Sequence, residues 1–276
     1  MSIRRFFIIE IRRVLRSPAL YIALLLGILL AVSQIVQYVF HFADINKLEL
    51  YMDIDFMFPH SVLTSMMGFA SGEWQSYALV EIAPLLAVIP FANSYYLDIK
   101  NGYVKNLYTR ASKKSYLVSK YIVTFLSGAA AVAIPLLVNF LVCMMVVPYI
   151  QPITGTALFG IPFQTFWADL FYTNGILYVL GFCGIYAIFG GLYACLSLVA
   201  AFLVNNRFLV QLFPLIVIMA GSMILDISKN SLYAPRMLLQ MGQGFSISGI
   251  RILLIIGALF IITLTYFWRG AKNDTI

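Results

Sequence analysis

Long apolar stretches separated by short polar segments dominate the pattern along the chain. A bilayer core of roughly 30 Å is crossed by about 20 mostly apolar residues in a helix. Six stretches reach that length between charged or turn residues, and they cover about 18–40, 77–97, 117–148, 175–204, 208–226 and 249–268. Because these runs are continuous rather than alternating in ten-residue segments, they predict spanning helices and not a β-barrel.

Composition agrees with the pattern. Hydrophobic residues make up 62% of the 276 positions and charged residues 11%, against about 45–50% and about 25% in soluble domains. So few charges cannot cover a water-facing surface. We therefore expect an all-α integral membrane protein, with residues 1–276 forming a single transmembrane domain of six spans.

The charges also predict an orientation. Fourteen of the 18 Lys and Arg residues fall on one side of the predicted topology. They lie in the N-terminal segment, in the link between spans two and three together with the first turn of span three, which contains Lys120, in the link between spans four and five, and in the C-terminal tail. Basic residues concentrate on the cytoplasmic side of membrane proteins. We expect a multi-pass protein of the cell membrane with both termini in the cytoplasm. The net charge of +7 thus needs no nucleic-acid partner.

The segment 2–17 predicts an amphipathic helix that lies in the membrane plane. On a helical wheel the apolar face carries Ile3, Phe7, Ile11 and Val14, and the opposite face carries Arg5, Arg12 and Arg16. The arginines would meet lipid headgroups or a cytoplasmic partner, and the helix could equally serve only as a topology anchor.

The link 98–116 is longer than a connection between neighbouring spans requires. Its pattern predicts a short cytoplasmic helix with an apolar stripe at helical spacing, formed by Val104, Leu107, Tyr108 and Ala111. Lys105 and Arg110 lie beside the stripe. We expect this helix to dock onto a cytoplasmic protein, and the alternative is that it rests on the lipid surface.

Polar residues and prolines within the spans are few, and they indicate candidate positions along a translocation path. The candidates are Glu81, Pro84, Pro90, Gln211 and Pro214, since proline breaks in membrane helices often border a cavity. For Glu81 interfacial solvation is an equal alternative, and Asn139 and Gln211 more often tie helices together. On span four, Gly184, Ala187, Gly190 and Ala194 form a small-residue stripe suited to close helix packing.

Several kinds of chemistry are missing from the sequence. None of the 18 glycines is followed by Lys, so the chain has no P-loop for ATP. Three cysteines and two histidines show no metal-ligand spacing. We therefore expect no catalytic residue, no metal site and no cofactor on this chain. An ion-coupled carrier is disfavoured because the predicted midplane lacks ionisable residues.

One set of motifs is characteristic of a known family. The motifs are Arg16-Ser-Pro18, Phe91-Ala-Asn-Ser-Tyr-Tyr-Leu-Asp98, Gly102-Tyr-Val-Lys-Asn-Leu-Tyr-Thr-Arg110, Ala111-Ser-Lys-Lys-Ser-Tyr116 and Ser119-Lys120. With the six-span topology, they resemble the permease subunits of ABC exporters of the ABC type-2 class. In particular, the chain looks like the small six-span permeases of Gram-positive bacteria, some of which belong to lantibiotic-immunity and peptide-export systems. Ala111 stands where that family typically has a proline.

The resemblance implies an assembly of two permeases, identical or related, and two separate cytoplasmic ATPases that bind ATP and Mg. Spans two and five would flank the path of a peptide or other amphipathic substrate. The ATPase-coupling residues it implies are Arg5, Arg12, Arg13, Arg16, Gly102, Tyr103, Val104, Lys105, Leu107, Tyr108 and Arg110, with Val104, Leu107 and Tyr108 filling a cleft on the ATPase. The alternatives are an ATP-independent channel or carrier and a membrane sensor of peptides.

Overall fold

A computed structural model describes residues 3–40, 61–69, 73–108, 112–152, 161, 165–242 and 247–272 of the chain. Every regular element in these ranges is helical. The α-helices are α1 (Ile3–Leu15), α2 (Pro18–Gln34), α3 (Val62–Ser65), α4 (Trp74–Val88), α5 (Asn93–Lys100), α6 (Tyr103–Tyr108), α7 (Lys113–Val146), α8 (Ala168–Thr173), α9 (Gly175–Ala200), α10 (Arg207–Ile227), α11 (Pro235–Leu238) and α12 (Gly249–Lys272). A π-helical turn over Ile35–Phe40 continues α2.

Six helical stretches in the described part are long and apolar enough to cross a membrane, as the sequence pattern predicts. The second of them, Trp74–Lys100, is divided into α4 and α5 by a turn over residues 89–92 that contains Pro90. Pro84 and Pro214 lie inside continuous helices instead. Among the three prolines proposed to border a path, only Pro90 therefore falls at a helix break.

The centre of the bundle is the crossing of α7 and α9. A Cβ atom on Gly128 of α7 would lie 2.4 Å from the Cβ of Ala194 and 2.6 Å from the carbonyl oxygen of Gly190, both on α9. Only glycine allows this approach, because small residues let membrane helices pack backbone to backbone. The predicted stripe is confirmed at Gly190 and Ala194, whereas Gly184 meets open space.

The two ends of the bundle differ. At the end that we call the basic end, α1, α5, α6 and the start of α7 gather around a cluster of buried aromatic and aliphatic side chains. The cluster contains Phe6, Tyr95, Val104, Tyr116, Leu117, Leu198, Val199 and Tyr266. The other end, which we call the far end, is closed by α3, α8, a 3₁₀ turn over Ser231–Tyr233 and α11. The segment after α10 thus folds as short helices packed on the bundle.

Candidate functional site

Helix α1 lies across α7 at the basic end. At its beginning, the Ser119 hydroxyl of α7 donates to the carbonyl oxygen of Ile3 at 3.1 Å, and towards its end Val14 packs in one cluster with Val123. These contacts lie about 16 Å apart along α1 but only about 6 Å apart along α7. Since α7 spans the bundle, α1 runs crosswise to the spans.

The buried face of α1 differs from the face predicted from its apolar residues. Phe6, Glu10 and Val14 are buried, whereas Phe7 and Ile11 are half-buried. The physical reason is Glu10, a carboxylate that the wheel would leave in water. It turns inwards because a buried ammonium group receives it.

That ammonium belongs to Lys120 and forms the centre of an ion-pair cluster. The Nζ atom of Lys120 lies 2.9 Å from an oxygen of Glu10 and 2.7 Å from an oxygen of Asp98. Arg13 contacts the same two carboxylates, at 3.0 Å from Glu10 and 2.8 Å from Asp98. The Tyr116 hydroxyl donates a further bond to Asp98 at 2.7 Å. The cluster of Glu10, Arg13, Asp98 and Lys120 carries no net charge.

Burial decides the strength of this cluster. Lys120 is 0% exposed and Glu10 is 1% exposed, and the ammonium also lies 4.5 Å from the ring centroid of Phe91. A charge removed from water in this way is stable only if its partners remain, because each unpaired buried ion costs several kcal/mol. The cluster therefore fixes α1, the end of α5 and the start of α7 to one another.

Sequence reasoning missed this cluster. It treated Lys120 as a topology signal and Arg13 as a docking residue, and it did not single out Glu10. One signal was present, since Glu10 is the sole acidic residue among the first 43 positions. A single carboxylate amid five arginines is expected to have a structural partner.

The loop helix α6 forms where the pattern predicts it, but its apolar stripe faces the chain's own core. Val104 is 1% exposed in the cluster of the basic end, and Leu107 and Tyr108 pack against that cluster. Val104 is therefore occupied within the chain, whereas Leu107 and Tyr108 are only half-buried, and their contact with an ATPase stays a prediction. Gly102, at a φ of 69°, makes the turn into α6.

The side of α6 that faces solvent is polar. It presents the exposed residues Tyr103, Lys105 and Asn106. Arg110 and Ala111 lie outside the described residues. Of the predicted coupling arginines, Arg5 and Arg12 are exposed on α1 and Arg16 is exposed directly after it, whereas Arg13 is engaged in the ion-pair cluster.

The candidate path residues lie on two neighbouring packed helices. Glu81 and Pro84 are on α4, and Gln211 and Pro214 are on α10. With the Asn93 amide oriented to suit its neighbours, its oxygen accepts from the amide of Gln211. Gln211 therefore ties α10 to α5, which was the alternative interpretation of this residue. A role in a path for Glu81, Pro84, Pro90 and Pro214 stays a prediction.

A second polar network closes the far end. The Gln34 amide donates to the carbonyl oxygen of Ser65 at 2.8 Å and to Glu73 at 2.9 Å. Asn139 donates to the Oε1 atom of Gln34 at 2.8 Å and accepts from the backbone N–H of Met67 at 2.8 Å. These bonds hold the segment around α3 onto α2 and α7, so Asn139 ties elements together as predicted.

Glu73 makes the far end sensitive to pH. Burial raises the pKa of Glu73 to about 7, although the bond from Gln34 lowers it, and no cation pairs with this carboxylate within the part of the chain that the structure describes. A carboxyl that binds its proton more tightly when folded stabilises the protein below its unfolded pKa of about 4.3. This stabilisation is lost as pH rises through about 7.

We therefore expect the melting temperature in detergent to fall between pH 5 and pH 8 in the wild type, and to fall less in Glu73→Gln. Gln mimics the protonated carboxyl and still accepts from Gln34. Thermal unfolding followed at both pH values measures the difference. Parallel melting profiles of the two proteins would contradict the assignment to Glu73.

The function of these clusters has to be inferred from their geometry. Within the described ranges, no three His, Cys, Asp or Glu side chains gather in a way that would hold a metal ion. No protein-family model, no curated protein and no solved structure matches the chain. A functional proposal therefore rests on three structural features, which are the six candidate spans, the ion-pair cluster and the exposed side of α6.

Proposed function

We propose that the chain is the membrane-spanning permease subunit of an ATP-driven ABC exporter. It docks a separate cytoplasmic ATPase through the loop that carries α6, and with a second permease it moves a peptide or other amphipathic compound out of the cell. The observation that supports this proposal is the ion-pair cluster, because it joins the cytoplasmic elements rigidly to two spans.

The cluster can transmit a displacement of the loop to the spans. A partner that pushes on the exposed side of α6 also displaces Val104, which packs in one cluster with Tyr95 of α5 and Tyr116 of α7. The bond between Asp98 and Lys120, at 2.7 Å, prevents α5 from moving without α7. A displacement of the loop therefore moves α5, the end of the second span, together with α7, the third span.

The same displacement reaches the fifth span. The Tyr96 hydroxyl of α5 donates to the carbonyl oxygen of Asn205 at 2.7 Å, one residue before the N-cap of α10. The turn at Pro90 separates α5 from α4, so α5 can rotate without bending the rest of span two. Movement of α5 together with the start of α10, relative to α4, is the kind of change that would open a path between two permeases.

In the proposal, a separate ATPase supplies the energy for transport. The sequence has no P-loop, and the proposed partner binds ATP and Mg. A permease of this kind needs a docking surface that a soluble protein can reach, and Tyr103, Lys105 and Asn106 supply one on α6.

The proposal predicts the effect of reversing the charge on that surface. In the double variant Lys105→Glu/Asn106→Glu, the amount of P-loop ATPase that co-purifies in mild detergent should fall about tenfold, equivalent to about 1.4 kcal/mol. Both side chains are exposed, so the fold should persist. Quantitative mass spectrometry of the purified complex measures the ratio.

A matched control is the charge reversal Lys229→Glu, at an exposed position beyond the C-terminal end of α10. It should leave the recovered ATPase unchanged. Equal recovery of the ATPase with the α6 variant and with the control would remove α6 from the docking surface.

A further inference from the structure

Helix α1 presents a side that the bundle does not use. Its buried face is filled by Phe6, Glu10 and Val14. The exposed residues of the helix are Ile3, Arg4, Arg5, Ile8, Ile9, Arg12, Arg13 and Leu15, and Arg16, directly after the helix, is exposed too. Apart from Arg13, none of these arginines forms an ion pair within the part of the chain that the structure describes. Three cationic side chains on the helix, Arg4, Arg5 and Arg12, and the adjacent Arg16 are therefore left for an external partner.

Around the helix axis, the exposed side is divided into two flanks of different character. At 100° per residue, Arg4, Leu15 and Ile8 follow the half-buried Phe7 and Ile11 on one flank. Arg4 lies in the first turn, and its long aliphatic stem lets its charge reach the headgroup level. Arg5, Arg12 and Arg16 fall together on the next flank, and Ile9 follows them. Leu15 is 54% exposed, which a surface facing only water would disfavour. An apolar flank beside an arginine flank is the arrangement of a helix that lies in a bilayer interface.

The position of α1 agrees with that arrangement. Only Arg16 and Ser17 separate it from Pro18, the first residue of the first span. The Tyr21 hydroxyl of this span donates to the carbonyl oxygen of Leu15 at 2.9 Å, which fixes the corner. Because α1 also runs across α7, it lies along the plane in which the first span enters the membrane.

We propose that the exposed side of α1 binds the headgroups of anionic phospholipids, with the arginine flank on the phosphates and the aliphatic flank in the acyl boundary. A lipid surface accommodates both flanks at once, because its phosphates face the arginines while its acyl boundary covers Ile8 and Leu15. This inference does not rest on the proposed function, since it concerns only α1 and the bilayer.

The test uses the purified full-length chain in neutral detergent. Native mass spectrometry compares the binding of phosphatidylglycerol with that of phosphatidylcholine, and the wild type should prefer phosphatidylglycerol. In Arg5→Gln/Arg12→Gln this preference should fall at least about tenfold, because each cation near an anionic surface contributes about fivefold. Equal binding of the two lipids by the wild type would overturn the inference.

Two further variants separate charge on α1 from charge elsewhere and from loss of fold. Lys100→Gln/Lys114→Gln removes two exposed cations of the basic end outside α1 and should keep the preference. Arg5→Lys/Arg12→Lys keeps the charge and should keep the preference as well. Loss of the preference in either of these variants would contradict a headgroup site made by the arginines of α1.

The other possible partners give different results. Inorganic phosphate at millimolar concentration should not displace phosphatidylglycerol, and displacement would indicate a site for free anions. If Arg5→Gln/Arg12→Gln keeps the lipid preference but loses the co-purified ATPase, the arginines bind protein and the inference fails. If it loses the lipid preference and keeps the ATPase, the lipid assignment is supported.

Discussion

Replacing Lys120 with methionine should destabilise the basic end by about 3–5 kcal/mol, the usual cost of breaking a buried ion pair from one side. In the wild type, the carboxylates of Glu10 and Asp98 lie 2.9 Å and 2.7 Å from the ammonium of Lys120. The variant leaves both carboxylates with Arg13 as their remaining cation. We expect α1 to detach from α7. Thermal unfolding in detergent and protease sensitivity of the N-terminal segment measure both effects.

The matched control is Lys114→Met. This lysine lies on the same helix but is exposed, so its loss should change the melting temperature little. A second control removes the cluster entirely, through Glu10→Gln, Arg13→Gln, Asp98→Asn and Lys120→Met together. It should recover part of the stability, since neutral groups need no counter-ion. If Lys120→Met melts at the same temperature as Lys114→Met, the cluster does not hold the basic end together.

Replacing Gly128 with valine should have the second large effect, a loss of more than about 3 kcal/mol, at or above the usual cost of overpacking a core. The added Cβ alone would lie 2.6 Å from the carbonyl oxygen of Gly190, and a backbone atom cannot turn aside as a side chain can. The helices α7 and α9 would have to separate along the centre of the bundle. We expect little monodisperse protein by size-exclusion chromatography.

Gly184→Val provides the control for the crossing. It places the same side chain on α9 at a position with nothing within 4 Å of the new Cβ. This variant should purify as the wild type does. A Gly128 variant that is as monodisperse and as thermostable as the Gly184 variant would refute the close crossing.

The spans could be predicted from the sequence because each is a long continuous apolar run. The fifth, for example, was expected at 208–226 and is found at Arg207–Ile227. The turn that separates α4 from α5 was less visible, since Pro84 and Pro214 are also prolines in apolar surroundings and lie within intact helices. Residue type alone therefore does not indicate which proline ends a helix.

The ion-pair cluster could not be predicted from local pattern. Glu10 and Lys120 are 110 positions apart, and each is a single charge among many apolar or basic neighbours. Periodicity shows that a helix has two faces, but not what each face meets. It therefore predicted the helix at Tyr103–Tyr108 correctly. It could not show that Val104 packs within the chain, because the receiving side chains, Tyr95 and Tyr116, come from two other helices.

The most direct test of the central proposal is purification of the tagged wild-type protein from its native membranes in several mild detergents, with mass spectrometry of the proteins that accompany it. The exporter proposal predicts a soluble ATPase with a P-loop in near-equal amount. Recovery of the chain alone in every detergent would contradict it, and the ATP-independent channel or sensor would then be the better interpretation.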